Sequence, residues 1–172
     1  MQLDLITVGR ISVDLFAEQI NTSFSQPQTF HKSIGGSPTN VAVAAAKLGH
    51  STAIVTKVGV DPLGQYVQNK LKEFGVKTDF VKVAESGLTP VVLASQDPPE
   101  DPKIIFHRQP NAPDTQLTVG DIDSETLQAA KIFWVSACAL SSGETGKSAI
   151  TWLQQRGGKQ ESIIDLDYRP SF

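Results

Sequence analysis

Cysteine and basic charge are both scarce in this sequence of 172 residues, and each scarcity excludes a class of protein. The single cysteine, Cys138, cannot form an internal disulfide, which excludes a disulfide framework and makes a cytoplasmic protein the default expectation. Lys and Arg number 15 against 18 Asp and Glu, so the formal net charge is −3. A nucleic-acid binder needs a basic stripe for phosphate contacts, and we therefore expect no nucleic-acid partner.

Long hydrophobic runs are missing as well. No stretch approaches the roughly 20 apolar residues that a membrane-spanning helix requires, so we expect no membrane partner. The opening MQLDLITVGR has no basic leader followed by an apolar stretch, which argues against a signal peptide. Hydrophobic residues nevertheless make up 40% of the chain, which is too apolar for a disordered segment. The sequence predicts one packed domain.

Apolar, β-branched runs alternate with helical patterns along most of the chain. This alternation predicts an α/β fold with a mainly parallel sheet and flanking helices. Strands are predicted at 3–8, 52–58, 77–83, 132–139 and 162–166, and helices at 38–48, 62–74, 124–130 and 144–155. Ser37 and Asp61 are the expected N-caps of the first two helices, each followed by a proline at the first helical position.

Two short strands joined by DPPEDP interrupt this alternation. The Pro and Asp residues of the connection favour a turn, so the pair is predicted to be an antiparallel ribbon. With two further extended segments, the ribbon predicts a small second sheet that acts as a lid over a cleft. The lid segments are expected at about 10–18, 29–34 and 88–109.

The strongest local motif is GGSPTN, from Gly35 to Asn40, at the start of the first predicted helix. Gly35 and Gly36 permit a tight backbone turn close to a ligand. Asn40 offers two amide donors and a carbonyl acceptor, a mixture that suits sugar hydroxyls. Asp14, just past the first strand, could accept two hydroxyl hydrogen bonds from a polyol. Taken singly, a glycine turn with a surface Asn and an Asp at a strand end are more often ordinary solvated turn residues.

Together, these residues resemble the opening of the ribokinase-like (PfkB) carbohydrate kinases. The resemblance continues, in the family's order, through VGVDPLG, IIFHR, FWVSACALS and IIDLDYRP, and it covers essentially the whole sequence. It implies that residues 1–172 are the N-terminal part of one ribokinase-like α/β domain. It also implies an ATP-dependent sugar kinase that uses Mg²⁺ and forms a homodimer through the lid.

The resemblance also implies which residues bind the substrate. These are Asp14, Gly35, Gly36, Asn40, Arg108 and Arg169, with Arg10 and Asp167 as further candidates. Within the family, GRISVDL and LDYRP resemble most the kinases of 5-dehydro-2-deoxygluconate in inositol catabolism. Kinases of 2-keto-3-deoxygluconate and bacterial fructokinases are the nearest alternatives. Guanidinium groups pair with the carboxylate of a sugar acid through two charge-assisted hydrogen bonds, which suits the three arginines; surface solvation is their alternative role.

The reaction that the resemblance implies is transfer of the ATP γ-phosphoryl group to a primary hydroxyl. It needs a base on that hydroxyl and an anion hole for the moving group. In the family, the base Asp and its GxGD segment lie in a C-terminal half, and no GxGD segment occurs in this sequence. We therefore expect no catalytic residue in this chain and no kinase activity from it alone. A non-catalytic sugar-binding or dimerisation fragment is the alternative.

A competing motif is SSGETGKS, Ser141 to Ser148, which differs by one residue from the phosphate-binding loop GxxxxGK[ST]. In a P-loop nucleotidase, Lys147 would contact phosphates, while Ser148 and Asp165 would hold Mg²⁺. The alternative is a plain helix start with a solvated Lys147. Cys138 is expected to be a small core residue and not a catalytic thiol. The three histidines lack metal-ligand spacing, so no metal site is expected.

Overall fold

The computed structural model describes residues 2–141, 143–158 and 160–167. Within these residues, the larger of two sheets has five parallel strands in the order β5-β4-β1-β8-β9. The strands are β1 (Leu5–Val8), β4 (Thr52–Val58), β5 (Val81–Val83), β8 (Ile132–Ser136) and β9 (Glu161–Asp165). The predicted α/β class with a mainly parallel sheet is confirmed.

The small sheet has the strand order β3-β2-β6-β7. Its strands are β2 (Ser12–Ile20), β3 (Phe30–Gly35), β6 (Val91–Gln96) and β7 (Ile104–His107). The two central strands, β2 and β6, are parallel, whereas both outer strands pair antiparallel with their neighbours. The predicted ribbon is therefore the β6–β7 pair, and the small second sheet is confirmed.

Helices cover the connections between strands of the large sheet. They are α1 (Ser37–Lys47), α2 (Pro62–Glu73), α3 (Ser124–Ala129), α4 (Ala137–Leu140) and α5 (Gly143–Arg156). Asp61 caps α2 as predicted: its Oδ1 accepts hydrogen bonds from the backbone N–H groups of Leu63 (2.9 Å) and Gly64 (2.8 Å). None of the helices in the described part of the chain is long and apolar enough to cross a membrane.

Some local predictions were wrong; the strand predicted over 77–83 is confined to β5, Val81–Val83. Gly36, and not Ser37, is the N-cap of α1, with a φ of 109° that favours glycine, and Ser37 lies inside the helix. The strand predicted to run from 132 to 139 ends at Ser136. The Ser136 hydroxyl accepts a hydrogen bond from the backbone N–H of Ala139 (3.3 Å) and caps the short helix α4. A local side-chain cap thus ends a strand whose apolar pattern continues.

Two apolar clusters lie on opposite faces of the large sheet. One packs α3 and α5 onto the sheet and includes Phe133 and Trp152, whose rings meet edge to face at 6.4 Å. The other joins α2 to the small sheet and includes Val13 and Ile34. Because side chains alternate along a strand, Asp14 lies on the face of the small sheet opposite to Val13. Packing therefore turns the Asp14 face of β2 away from this cluster.

The edge strand β9 carries exposed apolar side chains. Ile163 and Ile164, on opposite faces of the strand, are 44% and 46% exposed, and Leu166 just beyond the strand is 81% exposed. Within the described residues, β9 pairs with β8 along one side. The sheet thus ends in an apolar strand whose two faces are both largely exposed.

Candidate functional site

Strands β2 and β3 bring Asp14 directly against Gly35. In the antiparallel register, Asp14 pairs with Ser33 and Ser12 pairs with Gly35. A Cβ atom on Gly35 would overlap the Asp14 carboxylate, so a side chain cannot be added at residue 35 without moving Asp14. The glycine turn does allow a close approach, as the motif predicts. The group that approaches is the protein's own carboxylate.

Gly36 holds the start of α1 against the connection between β1 and β2. A Cβ on Gly36 would overlap the backbone carbonyl of Arg10, and the Thr39 hydroxyl donates to the same carbonyl at 3.3 Å. Asn40 lies on the first turn of α1, where its backbone N–H donates to the Gly36 carbonyl at 2.9 Å and its side chain is exposed. Gly35 thus leaves the space that the Asp14 carboxylate occupies, and Gly36 allows α1, which carries the Asn40 amide, to start directly beside it.

The Asp14 carboxyl is half-buried and accepts a hydrogen bond from the Ser12 hydroxyl at 2.6 Å. Burial raises the pKa of Asp14, although the Ser12 hydrogen bond and the charge of Arg10 act in the opposite direction. Burial without full compensation is costly for a carboxylate and is common at binding sites. The group can still accept hydrogen bonds from hydroxyls that replace its water.

Arg108, which follows β7, forms an ion pair that the sequence did not reveal. Its Nη2 and Nε atoms lie 3.0 Å and 3.2 Å from Oδ2 of Asp114. The Asp114 side chain is completely buried, and that of Arg108 is 11% exposed. The expectation was an arginine that reaches down to the substrate. The structure shows this guanidinium bound to a carboxylate of the same chain, on a turn (residues 113–115) whose sequence gives no signal beyond an ordinary Pro-Asp turn.

The charge of Arg10 acts on both aspartates. Its guanidinium carbon lies 5.3 Å from the ring centre of Phe106 on β7, a cation–π geometry. Its charge lowers the pKa of Asp14 and of Asp114, although burial, the largest effect in both, leaves each pKa raised. We call Arg10, Asp14, Arg108 and Asp114 the charge cluster. Its two positive and two negative side chains have a formal sum of zero.

Asp167 reaches the start of α1 from the end of β9. Its carboxylate accepts a hydrogen bond from the Ser37 hydroxyl at 3.1 Å, and its backbone carbonyl accepts one from the Cys138 thiol at 3.3 Å. Cys138 is thus half-buried at this corner and is not part of the core, contrary to expectation. Arg169 lies outside the described residues. The site therefore contains residues that follow β1, β8 and β9 as well as residues of the small sheet.

The phosphate-loop interpretation of SSGETGKS is wrong. Lys147 is 78% exposed and pairs with Glu144 at 3.1 Å. The Ser148 hydroxyl, which would bind Mg²⁺ in a P-loop, is buried and donates to the Leu117 carbonyl at 2.9 Å. The Thr145 hydroxyl donates to the Asp114 carbonyl and accepts from the Leu117 N–H, both at 2.9 Å. These residues anchor the segment 114–117 to α5.

A cavity of about 400 Å³ lies at the base of the small sheet, lined among others by Thr89, Phe106 and Arg108. Thr89 is fixed there because its N–H and hydroxyl both donate to Asp61, at 2.8 Å and 2.9 Å. In the described part of the chain, no three His, Cys, Asp or Glu side chains are grouped so as to bind a metal ion. The cavity is thus lined by an aromatic ring, a hydroxyl and a guanidinium.

Comparison with known proteins gives a consistent result. The sequence matches the pfkB family carbohydrate kinases over residues 2–172. It is 33% identical over 172 residues to 5-dehydro-2-deoxygluconokinase of Geobacillus kaustophilus (strain HTA426), an alignment that covers 98% of this chain and 50% of that protein. The chain therefore spans about half the length of the curated relatives it matches.

Solved structures share the fold. A PfkB protein from Polaromonas sp. JS666 superposes with a TM-score of 0.89 at 24% identity, over 98% of this chain and 57% of the other. A sugar kinase from Pyrococcus horikoshii, solved in complex with ATP, superposes with a TM-score of 0.87 at 23% identity, over 97% of this chain and 54% of the other. At such identity, these structures establish the ribokinase-like fold alone. The family match, which runs through both sheets and every helix, identifies the chain as a member of the pfkB family of carbohydrate kinases.

Proposed function

We propose that this chain is the sugar-binding half and lid of an ATP-dependent carbohydrate kinase. The substrate is a sugar acid, 5-dehydro-2-deoxygluconate, and the reaction transfers the ATP γ-phosphoryl group to its primary hydroxyl. The observation that carries the proposal is the Asp14 carboxylate held on Gly35 at the start of α1. A relative that bears the name of this activity is 33% identical over nearly the whole chain.

Sugar hydroxyls would be bound at the start of α1. The Asp14 carboxylate accepts hydrogen bonds from hydroxyls, and the exposed Asn40 amide both donates and accepts. Gly35 and Gly36 contribute by having no side chain, because a Cβ at either position would displace Asp14 or Arg10. A sugar between these groups would lie beside the ends of the parallel strands, where ligands of open α/β sheets commonly bind.

The carboxylate of the sugar acid would be bound by arginines. Arg108 is the main candidate because it lines the cavity at the base of the small sheet. Arg10, which contacts the Phe106 ring of the same sheet, is a second candidate. Arg169 is the third candidate; it follows two residues after Asp167 in the sequence, and Asp167 itself contacts Ser37 at the start of α1. A planar guanidinium pairs with a carboxylate through two hydrogen bonds, which an ammonium cannot reproduce.

The small sheet, with its segments at about 10–18, 29–34 and 88–109, would act as the lid. Closure over the sugar would exclude water from the transfer step and limit hydrolysis of ATP. Phe16, Ile20 and Ile104 on this sheet are 44%, 58% and 48% exposed. Exposed apolar side chains of this kind favour an interface, so the lid would also form a homodimer.

ATP and Mg²⁺ are the proposed cofactors. Magnesium neutralises the charge of the transferred phosphoryl group, and it would arrive with the nucleotide, since the described residues offer no acidic metal cluster. The base that deprotonates the sugar hydroxyl would come from the part of the enzyme that this chain does not span. This half of the enzyme would hold the acceptor hydroxyl in place. Such positioning accounts for much of the rate enhancement in phosphoryl transfer.

A neutral ketohexose is the second candidate substrate, because the charge cluster sums to zero and Arg108 is already paired with Asp114.

The test uses the full-length protein with ATP and three acceptors: 5-dehydro-2-deoxygluconate, 2-keto-3-deoxygluconate and fructose. We expect the highest kcat/KM for the first sugar acid. We also expect Arg108→Lys to lower kcat/KM for both acids more than for fructose. A preference for fructose, or an equal loss for all three, would contradict the sugar-acid assignment. Sugar binding without phosphorylation would support a non-catalytic module.

A further inference from the structure

Asp114 is a fully buried carboxylate for which the proposed function has no role so far. It contacts one guanidinium through two nitrogens, with Nη2 and Nε of Arg108 at 3.0 Å and 3.2 Å from Oδ2. Both nitrogens donate to the same oxygen, and Nε also lies 3.4 Å from Oδ1, so the guanidinium is held at two of its nitrogens and cannot turn freely about either contact. Because Arg108 lines the cavity at the base of the small sheet, Asp114 determines how that guanidinium is presented to the cavity.

The support of Asp114 is rigid. The backbone carbonyl of Asp114 accepts a hydrogen bond from the Thr145 hydroxyl on α5 at 2.9 Å. The next residue, Thr115, is also buried, and its hydroxyl donates to the Ala112 carbonyl at 2.7 Å. Leu117 is bound on both sides, by Thr145 at its N–H and by Ser148 at its carbonyl. The carboxylate is thus attached to the core, whereas Arg108 belongs to the end of the small sheet.

The charges around Asp114 add a second argument. Both Arg108 and Arg10 lower the pKa of Asp114, although burial raises it by more. Arg10 is also close enough to Asp14 to lower its pKa. Asp114 therefore compensates the charge of Arg108 directly, while Arg10 lies close enough to both aspartates to affect their pKa values. A substrate at the cavity meets the planar donors of Arg108 but little net positive charge.

We propose that Asp114 is a positioning residue that determines specificity: it fixes the Arg108 guanidinium and sets the net charge that the sugar encounters. This inference rests on the proposed function, since it assumes that Arg108 contacts the sugar. Replacing the carboxylate by an amide keeps the size of the side chain and removes the compensating charge. The kcat/KM for a negatively charged sugar should then rise relative to that for a neutral one. Loss of rigidity alone would lower kcat/KM for both sugars alike.

The test compares Asp114→Asn with the parent in the full-length protein. The measured quantity is the ratio of kcat/KM for 2-keto-3-deoxygluconate to that for fructose, or the ratio of their inhibition constants if one is not turned over. We expect the ratio to shift toward the acid by at least about fivefold, given charges several ångströms apart at an effective dielectric near 20. Asp121→Asn is the matched control, because Asp121 pairs with Lys57 at 2.8 Å, is likewise mostly buried and lies outside the charge cluster. An unchanged or reversed ratio in Asp114→Asn would overturn the proposal.

Two further measurements keep the test decisive. If Asp114→Asn does not fold, Arg108→Gln takes its place and should shift the ratio toward fructose by at least about fivefold, by the same Coulomb argument. If the parent phosphorylates no sugar, the proposed function fails, and NMR still tests the contact. The Arg108 Nε–H signal, assigned by its loss in Arg108→Gln, should exchange slowly with water in the parent and in Asp121→Asn. It should exchange fast in Asp114→Leu, which has a side chain of similar shape and no acceptor; slow exchange there would overturn the positioning role.

Discussion

The carboxylate of Asp14 occupies the space in which a side chain on Gly35 would begin. The two residues lie on neighbouring strands of the small sheet, and the next residue, Gly36, is the N-cap of α1. One contact therefore ties together the small sheet, the first helix and the candidate hydroxyl-binding group. Small changes at this contact should affect sugar binding more than they affect folding.

Gly35→Ala should weaken sugar binding strongly. The added methyl group must displace the Asp14 carboxylate, and a displacement of about 1 Å at a positioning group can cost 10²-fold in rate. The measurement is the sugar KM and kcat/KM of the full-length protein. Gly120→Ala is the control, because a Cβ there meets nothing within 4 Å. Equal effects of the two substitutions would contradict the importance of the contact.

Asp14→Asn should remove a pH dependence from sugar binding. Burial raises the pKa of Asp14, so the carboxylate that accepts hydroxyl hydrogen bonds is lost as the pH falls through a value above the usual one for Asp. The sugar KM of the parent should therefore rise toward acid pH at a higher pH than an exposed Asp would give. In Asp14→Asn, the KM should be higher at neutral pH and should lose this acid-side rise.

Asp14→Asn should weaken sugar binding but should not weaken the fold. A raised pKa in the folded state means that the ionised carboxylate costs stability above that pKa, and this cost disappears as the pH falls through it. Asp14→Asn should therefore leave the Tm at neutral pH unchanged or higher, while sugar affinity falls. Thermal unfolding followed by circular dichroism is the measurement. A marked loss of Tm would mean that Asp14 has a mainly structural role.

Asp61→Ala should destabilise the fold. Burial raises the pKa of Asp61, but hydrogen bonds from Thr89, Gly64 and Leu63 together leave it below its usual value of 3.8. The ionised group thus stabilises the fold above that value and loses this contribution as the pH falls below it. Loss of the cap alone should cost about 1 kcal/mol, and more with the Thr89 contacts. Asp123→Ala removes the cap of the short helix α3, whose contacts are local, and should cost less; an equal cost would contradict the role of Thr89.

Lys147→Ala should change phosphoryl transfer by no more than a few-fold, because Lys147 is exposed and pairs only with Glu144 among the contacts described. Thr145→Val on the same helix should instead cost about 1–3 kcal/mol of stability, since it leaves buried groups of Asp114 and Leu117 without their partner. Urea unfolding of both variants gives the comparison. Loss of nucleotide binding in Lys147→Ala would restore the P-loop interpretation.

The sequence predicts those features that depend on neighbouring residues. The β-branched runs, the Asp61 cap and the DPPEDP turn all have local causes, and the structure contains each of them. The Arg108–Asp114 pair has no such signal, because its geometry depends on how β7 meets a turn held by α5. The GETGKS segment resembles a phosphate loop in its local sequence, because the contacts that determine its role are likewise long-range. Its hydroxyls are used by backbone groups some 30 residues away in the chain.

The most direct test of the central claim is the effect of Asn40→Ala on the two substrates of the full-length protein. This amide is proposed to contact sugar hydroxyls, and one such hydrogen bond contributes about 0.5–1.5 kcal/mol. The KM for the sugar should therefore rise by about 2- to 13-fold, while the KM for ATP stays within about twofold. An equal rise in both, or a rise for ATP alone, would contradict the assignment of this corner of the fold to the sugar.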